Sequence, residues 1–297
     1  MNPREKGFLL LTSHLGDPER KPLTTAQLRT LTDRVRNADI PDGDRKLHAG
    51  DLVSLGYSRE MARRIVELLE EEDVLEHYLQ RGARLGCVPI TRVNPEYPLI
   101  LRQRLGLDSP GCLWVKGDLA LLNTPAIALV GSRELREENR DFAAEVGRQA
   151  AIQGLTLVSG NARGSDRTAQ NACLASGGRV ISVVADELAK QPLRENVLYV
   201  SEEDFDEPFS AIRALSRNRV IHALGRMVFV AQSDLGKGGT WDGTVKNLRF
   251  GWSPVACCRD GSEASFQLEQ MGAYLIEQED IRDFGSLLQK ETTLFDR

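Results

Sequence analysis

From Pro125 onward the chain alternates short, almost wholly apolar runs with amphipathic stretches, and this alternation limits the fold more than any other feature. The runs are AIALVG (126–131), LTLVSG (155–160), RVISVVAD (179–186), RMVFVAQ (226–232), PVACC (254–258) and AYLI (273–276). A strand wetted on one face alternates apolar and polar residues, whereas a strand covered on both faces is apolar throughout. The segments between them have helical spacing; Phe142, Val146 and Ala150, for example, share one face. Strand and helix recurring at this period predict βαβ units and an α/β, doubly wound, mostly parallel sheet. The sequence contains neither an internal repeat nor a low-complexity segment.

Residues 1 to about 90 read differently, as helices without strand-like alternation. In GYSREMARRIVELLEEED, the apolar residues Met61, Ile65, Leu68 and Leu69 recur at helical spacing. Ser58 precedes them as an N-cap; with Met61 rather than Glu three positions on, no full capping box is expected. An earlier helix is predicted over Thr25–Asn37, opened by Thr24 or Thr25 and stopped before Pro41. Pro95 and Pro98 in NPEYP discourage regular structure and mark a link. The expected organisation is a helical N-terminal domain (1–90), an α/β domain (91–276) and a C-terminal helical tail (277–297).

Several function classes are excluded at this level. Runs such as Ala126–Val130 and Val180–Ala185 are too short to cross a bilayer, so no membrane association is expected. The N-terminal MNPREKGFLLLTSHLGD has a short apolar stretch and no small-residue cleavage site, which argues against a signal peptide and for a cytoplasmic protein. Cys87, Cys112, Cys173, Cys257 and Cys258 form no CxxC pair, and no histidine stands at metal-ligand spacing from them. They read as buried thiols; no metal and no cofactor are expected, and His14, His48, His77 and His222 are scattered. Lys and Arg number 38 against 43 Asp and Glu, a net charge of −5, so any nucleic-acid binding must use a local basic patch.

In a doubly wound sheet the ligand crevice lies beyond the carboxyl ends of the strands. The first such end carries Gly131-Ser132-Arg133: backbone access, a hydroxyl and a planar guanidinium, though a tight turn with a surface Arg would look the same. The second carries Ser159-Gly160-Asn161-Ala162-Arg163-Gly164-Ser165-Asp166, a strand-to-helix turn where free N–H groups favour an anion. A helix dipole supplies only about 0.3–1 kcal/mol, so several donors must converge. Asp166 is expected to cap backbone N–H groups rather than touch a ligand. A third turn, Gly236-Lys237-Gly238-Gly239-Thr240-Trp241-Asp242-Gly243-Thr244, is glycine-rich but matches neither a Walker A nor a GxGxxG pattern. Between them lies a helix with Arg213, Arg217, Asn218 and Arg219. Arg213 and Arg217 share a face and Arg219 points elsewhere, so Arg217 and Asn218 either reach the crevice or belong to a solvated charged helix. The candidate phosphate-binding set is Gly131, Ser132, Arg133, Ser159, Gly160, Arg163, Gly164, Arg217, Asn218, Arg219, Lys237, Gly238, Gly239 and Thr240, with no catalytic residue among them.

Taken together, these motifs resemble the DNA-processing protein A (DprA/Smf) family, over about Tyr97 to Gly261. YPxxL is Tyr97–Leu101, LWxKG is Leu113–Gly117, VGSR is Val130–Arg133, SGxARGxD is Ser159–Asp166 and RNRxI is Arg217–Ile221. The resemblance implies an extended Rossmann-like domain with a basic crevice for single-stranded DNA. It also implies homodimerisation through that domain and a RecA-type recombinase as partner. The chain departs from the pattern in places: Gln170 replaces a histidine, Ala214 a phenylalanine (with Phe209 upstream), Gln232 an acidic residue, and GKGGTWDGT an SGSxxT-like loop. Two other functions stay open. The wider superfamily includes nucleotide sensors of stress or phage defence, which the remodelled loop suits. It also includes nucleoside-monophosphate phosphoribohydrolases, whose PGGxGTxxE glutamate would be Asn247 here, an amide that cannot take a proton as a carboxylate does.

Overall fold

The computed structural model describes residues 1–38 and 46–288, and the chain divides into two compact units, Met1–Tyr97 and Pro98–Arg297. The first unit therefore runs past residue 90. It is built from α1 (Pro3–Thr12), α2 (Thr25–Arg36), α3 (Ala49–Ser54), α4 (Arg59–Glu70), α5 (Glu72–Arg84) and one strand, β1 (Cys87–Thr91). Thr24 caps α2 in a capping box with Gln27, and Ser58 caps α4 through the Met61 amide without one. Pro41, the expected stop beyond α2, lies outside the described residues. α1 was not anticipated, although Asn2 and Glu5 form a capping box around Pro3. Nor was β1, whose short CVPIT run is interrupted by Pro89. Leu11, Leu23, Leu31, Leu52, Ala62, Ile65 and Leu68 form this unit's core. Arg20 is buried there, donating to the carbonyls of Leu10 at 2.6 Å and Ser13 and pairing with Glu71 at 2.6 Å. It thus satisfies carbonyls that the end of α1 leaves without helical partners.

The second unit begins with α6 (Leu99–Leu105) and β2 (Cys112–Gly117). There follow β3 (Ala126–Val130), α7 (Glu137–Ile152), β4 (Thr156–Ser159), α8 (Ser165–Ala175), β5 (Arg179–Val183) and β6 (Val197–Ser201). It continues through α9 (Ala211–Leu224), β7 (Val228–Val230), α10 (Gly238–Phe250), β8 (Val255–Cys258), α11 (Glu263–Gln270) and β9 (Tyr274–Ile276). Its strands lie in the order β2-β6-β5-β4-β3-β7-β8-β9. β2 runs antiparallel to β6 and every other pair is parallel, so the fold is Rossmann-like with a mostly parallel sheet. β3 is buried at every position, as are β4, β6 and β7, which is why these strands read as continuous apolar runs. Residues after Ile276 join this core: Ile281, Phe284 and Leu287 are buried, and the Phe284 ring lies 5.1 Å from that of Phe229. The remainder of the expected C-terminal tail, 289–297, lies outside the described residues.

α7 and α8 approach so closely at Gly147 that a Cβ there would lie 2.8 Å from the carbonyl carbon of Ala169. Alanine inside a helix ordinarily stabilises by up to about 1 kcal/mol relative to glycine. Here the clash is with backbone, and overpacking of a tight core costs about 1–3 kcal/mol. Gly147→Ala is therefore expected to lower the urea midpoint; an unchanged or raised midpoint would show that the helices can part freely.

Candidate functional site

Read from β5 through β4, β3, β7 and β8 to β9, the connections reverse direction between β3 and β7. A crevice opens outside the carboxyl ends of strands at such a point. There the protein has a cleft of about 720 Å³, lined by the loops that follow β3, β4 and β7, the first turn of α10 and one side of α9. Gly131, Ser132, Arg133, Arg163, Arg217, Asn218, Lys237, Gly238, Gly239 and Thr240, ten of the residues singled out from sequence, line it.

The loops are locked together by backbone contacts that only certain residues permit. A Cβ on Gly131 would sit 2.8 Å from Ser165 Cβ, at the start of α8. The Ser132 carbonyl accepts from both the amide (3.1 Å) and the hydroxyl (3.0 Å) of Ser165, and the Ser132 amide donates to the Gln232 carbonyl at 3.0 Å. Ser132 Oγ accepts from the Glu134 amide at 3.2 Å, which leaves the hydroxyl proton for another acceptor. Gln232 supplies a second clamp on this loop: its Oε1 accepts from the Arg136 amide (2.9 Å) and its Nε2 donates to the Glu134 carbonyl (3.1 Å). A carboxylate at that position could not make the second bond.

Ser159, Gly160 and Gly164 do not line the cleft; they hold it up from below. Ser159 is fully buried. Gly160 leaves room for Arg217, whose Cζ would be 2.8 Å from an added Cβ. Gly164 takes φ +83° at the N-cap of α8, and a Cβ there would lie 2.5 Å from the carbonyl oxygens of Ser132 and Arg133.

The charged residues divide into spent and available groups. Arg219, placed in the candidate set by sequence, is not at the cleft. It pairs with Glu202 at 2.6 Å and donates to the Asp108 carbonyl at 3.1 Å. The helix itself separates it from Arg217, two residues being about 200° apart around an α-helix. Arg213 donates to the carbonyls of Glu207 (2.9 Å) and Pro208, bracing the segment that enters α9. Asn218 donates to the Gly239 carbonyl at 3.0 Å and pins the first turn of α10. Arg133, Arg163 and Lys237 remain exposed at the rim. Arg163 lies 3.6 Å from Glu134, but both side chains are more than 70% exposed, so the pair holds little energy and leaves Arg163 available.

Beneath the rim, Asp166 and Arg217 are buried neighbours. Asp166 accepts from the Ala162 amide at 3.3 Å, in keeping with a capping role, yet it also lines the cleft. Burial pushes its carboxyl above the usual carboxylate range, opposed by the Arg217 guanidinium. Burial likewise lowers the Arg217 pKa, opposed by Asp166, and its Nη1 donates to the Val183 carbonyl. Sequence reading missed Glu134, Asp234, Ser233 and the apolar wall of Phe209 and Leu215. Of these only Phe209 gave a signal, as an aromatic upstream of the RNR motif. Asn247, where the phosphoribohydrolase glutamate would stand, is fully buried and accepts from the Ser253 amide at 2.9 Å, away from the cleft lining. Among the described residues, no helix is long and apolar enough to cross a membrane.

A parallel sheet with the β5-β4-β3-β7-β8-β9 order, whose switch-point cleft is lined by Arg133, Arg163 and Lys237 together with Glu134, Asp234 and a glycine-opened helix, defines a Rossmann-like nucleotide-fold protein. The chain belongs to the DNA recombination-mediator protein A family, whose profile matches residues 89–284. Among curated relatives, DNA processing protein DprA of Streptococcus pneumoniae is 32% identical over 186 residues, covering 57% of this chain and 64% of the relative. The match thus spans less than two thirds of that relative's length. The crystal structure of DNA processing protein A from the same species superposes with a TM-score of 0.70 at 25% identity, covering 89% of this chain and 94% of that one. A structure of DNA processing protein A from Helicobacter pylori, described for its single-stranded DNA binding mode, superposes with a TM-score of 0.55 at 24% identity over 69% of this chain and 96% of that one.

Proposed function

We propose that this chain is a non-catalytic single-stranded DNA-binding protein acting in DNA processing or recombination. One observation carries the reading: Arg133, Arg163 and Lys237 come from three different loops yet surround one cleft, beside the first turn of α10. Helix N-termini and guanidinium groups both favour phosphate, and in a chain of net charge −5 this concentration of available cations is local. The family and the names of its relatives support DNA rather than a free nucleotide as ligand. The same reading includes the further implications of the resemblance: a cytoplasmic homodimer that delivers the bound strand to a RecA-type recombinase.

Salt titration tests the binding. Each single-strand phosphate neutralised contributes about −0.7 to the slope of log K against log salt, so three rim cations give a slope of about −2. Arg163→Ala and Lys237→Ala should each weaken binding about tenfold, since a charge-assisted hydrogen bond contributes roughly 1.5–3 kcal/mol, with melting temperature nearly unchanged. Each should also flatten the slope by about 0.7. A slope near zero, with thermal stabilisation by a mononucleotide and none by oligonucleotides, would instead identify a nucleotide sensor.

A further inference from the structure

The helical first unit has a groove of its own. A slot of about 180 Å³ lies between α2 and α4, with Leu23 and Ile65 at its base, Ala26 and Thr30 on the α2 side, and Tyr57 and Met61 on the α4 side. Leu23 and Ile65 belong to the buried core of the unit, whereas Tyr57 and Met61 are half-buried and Ala26 and Thr30 are exposed. The slot is thus an opening in the core, floored and walled by apolar side chains. Thr30 does not make it polar, because its hydroxyl donates back to the Ala26 carbonyl at 3.0 Å.

The two ends of the slot carry an arginine each, in different states. At the Leu23 end, Arg64 is spent on backbone, donating to the carbonyls of Lys21 at 2.8 Å and Pro22 at 2.9 Å. At the Thr30 end, Arg34 stands one turn further along α2, its Cζ 4.4 Å from the centre of the Tyr57 ring. Arg34 Nη1 and the Tyr57 hydroxyl are buried atoms without a hydrogen-bond partner among the described residues. Each residue as a whole is only half-buried, so a side-chain rotation brings either donor to a ligand. An unpartnered guanidinium nitrogen beside an unpartnered hydroxyl calls for an acceptor, and a carboxylate is the acceptor that a guanidinium pairs with most strongly.

We propose that this groove docks a partner protein through a segment in which one large apolar side chain fills the slot and a neighbouring carboxylate pairs with Arg34 and the Tyr57 hydroxyl. Size selects the occupant. Small-molecule sites measure roughly 300–1,000 Å³, so a slot of about 180 Å³ takes a single side chain rather than a nucleotide. Charge selects it further, because the donors at the open end ask for an acidic neighbour. Met61 suits such a site, since an unbranched thioether adapts to the shape of the side chain that enters. An apolar anchor in a groove, fixed in register by one charge, is a common way of recognising a peptide segment. All of these residues lie in the first unit, and the docking does not depend on DNA binding.

The test uses the full chain, labelled at the methionine and isoleucine methyl groups, and three capped dipeptides: acetyl-Phe-Asp-amide, acetyl-Phe-Asn-amide and acetyl-Ala-Asp-amide. The first carries both the anchor and the charge, the second only the anchor, the third only the charge. Phe-Asp should shift the Met61 and Ile65 methyl resonances saturably, and each of the other two should bind about threefold to tenfold more weakly, the value of one hydrogen bond or more. Arg34→Gln, a helix-compatible change at a half-buried position, should bring Phe-Asp down to the level of Phe-Asn. No shift at Met61 and Ile65 with any dipeptide would overturn the docking site. Equal binding of Phe-Asp and Phe-Asn by the wild type, or an unchanged preference in Arg34→Gln, would overturn the role of the carboxylate and with it the proposed partner. An oligothymidylate that shifts Met61 in the wild type and not in Arg34→Gln, where the dipeptides do nothing, would show a nucleic-acid surface instead.

Discussion

Replacing Arg217 with methionine should cost about 3–5 kcal/mol of folding stability at neutral pH, the usual consequence of removing one partner of a buried charge pair. Arg217 and Asp166 are both buried, and the methionine would leave the carboxylate without its main cation. The loss should depend on pH in a defined sense. Burial already holds the Asp166 carboxyl above its ordinary range with the guanidinium opposing it, so removing the guanidinium raises it further. A carboxyl whose folded-state pKa exceeds its unfolded value holds its proton more tightly when folded. Its contribution to stability is greatest below the unfolded pKa, about 3.9, and is lost as pH rises through the folded value. Relative to the wild type, Arg217→Met should therefore be least destabilised near pH 4 and increasingly so toward pH 7. Urea midpoints across that range would measure it; a variant as stable as wild type at pH 7 would mean that Asp166 is not held charged by Arg217.

Gly164→Val should abolish DNA binding and lower stability together. Gly164 sits at φ +83°, where a β-branched residue is strained by about 1–3 kcal/mol. The added Cβ would also meet the Ser132 and Arg133 carbonyl oxygens at 2.5 Å, and the clash adds about another 1–3 kcal/mol. Relief requires the start of α8 to move off the β3–α7 loop, which carries Arg133 away from Arg163. Gly177 is the matched control. It has φ +74° but nothing within 4 Å of its missing Cβ, so Gly177→Val meets the backbone strain alone and should keep full affinity. Wild-type affinity in a folded Gly164→Val protein would rule out this junction as the support of the cleft.

The strands were legible because their chemistry is local. A run such as AIALV or VFV must be covered on both faces, and periodicity shows that without any knowledge of partners. β6 escaped notice. Its VLYVS run is equally apolar, but it is followed by the acidic SEED segment and has an antiparallel neighbour, β2, distant in sequence. Gln232 shows the same limit: in the sequence it is only a departure from a family pattern, and its two bonds to the β3–α7 loop show it acting as a clamp.

By itself, then, the sequence determined the α/β class, the strand-to-helix turns that carry glycine and arginine, and ten of the residues that meet in the cleft. These follow from residue type and spacing along one chain. Tertiary structure alone decided which charges are free. Arg217 and Arg219 are two residues apart in one motif, yet one lies buried over Asp166 and the other is held by Glu202 and the Asp108 carbonyl. Helical geometry separates them, and partners far away in sequence occupy them. A guanidinium is available to a phosphate only when no nearer acceptor has claimed it, and those acceptors are brought to it by the fold.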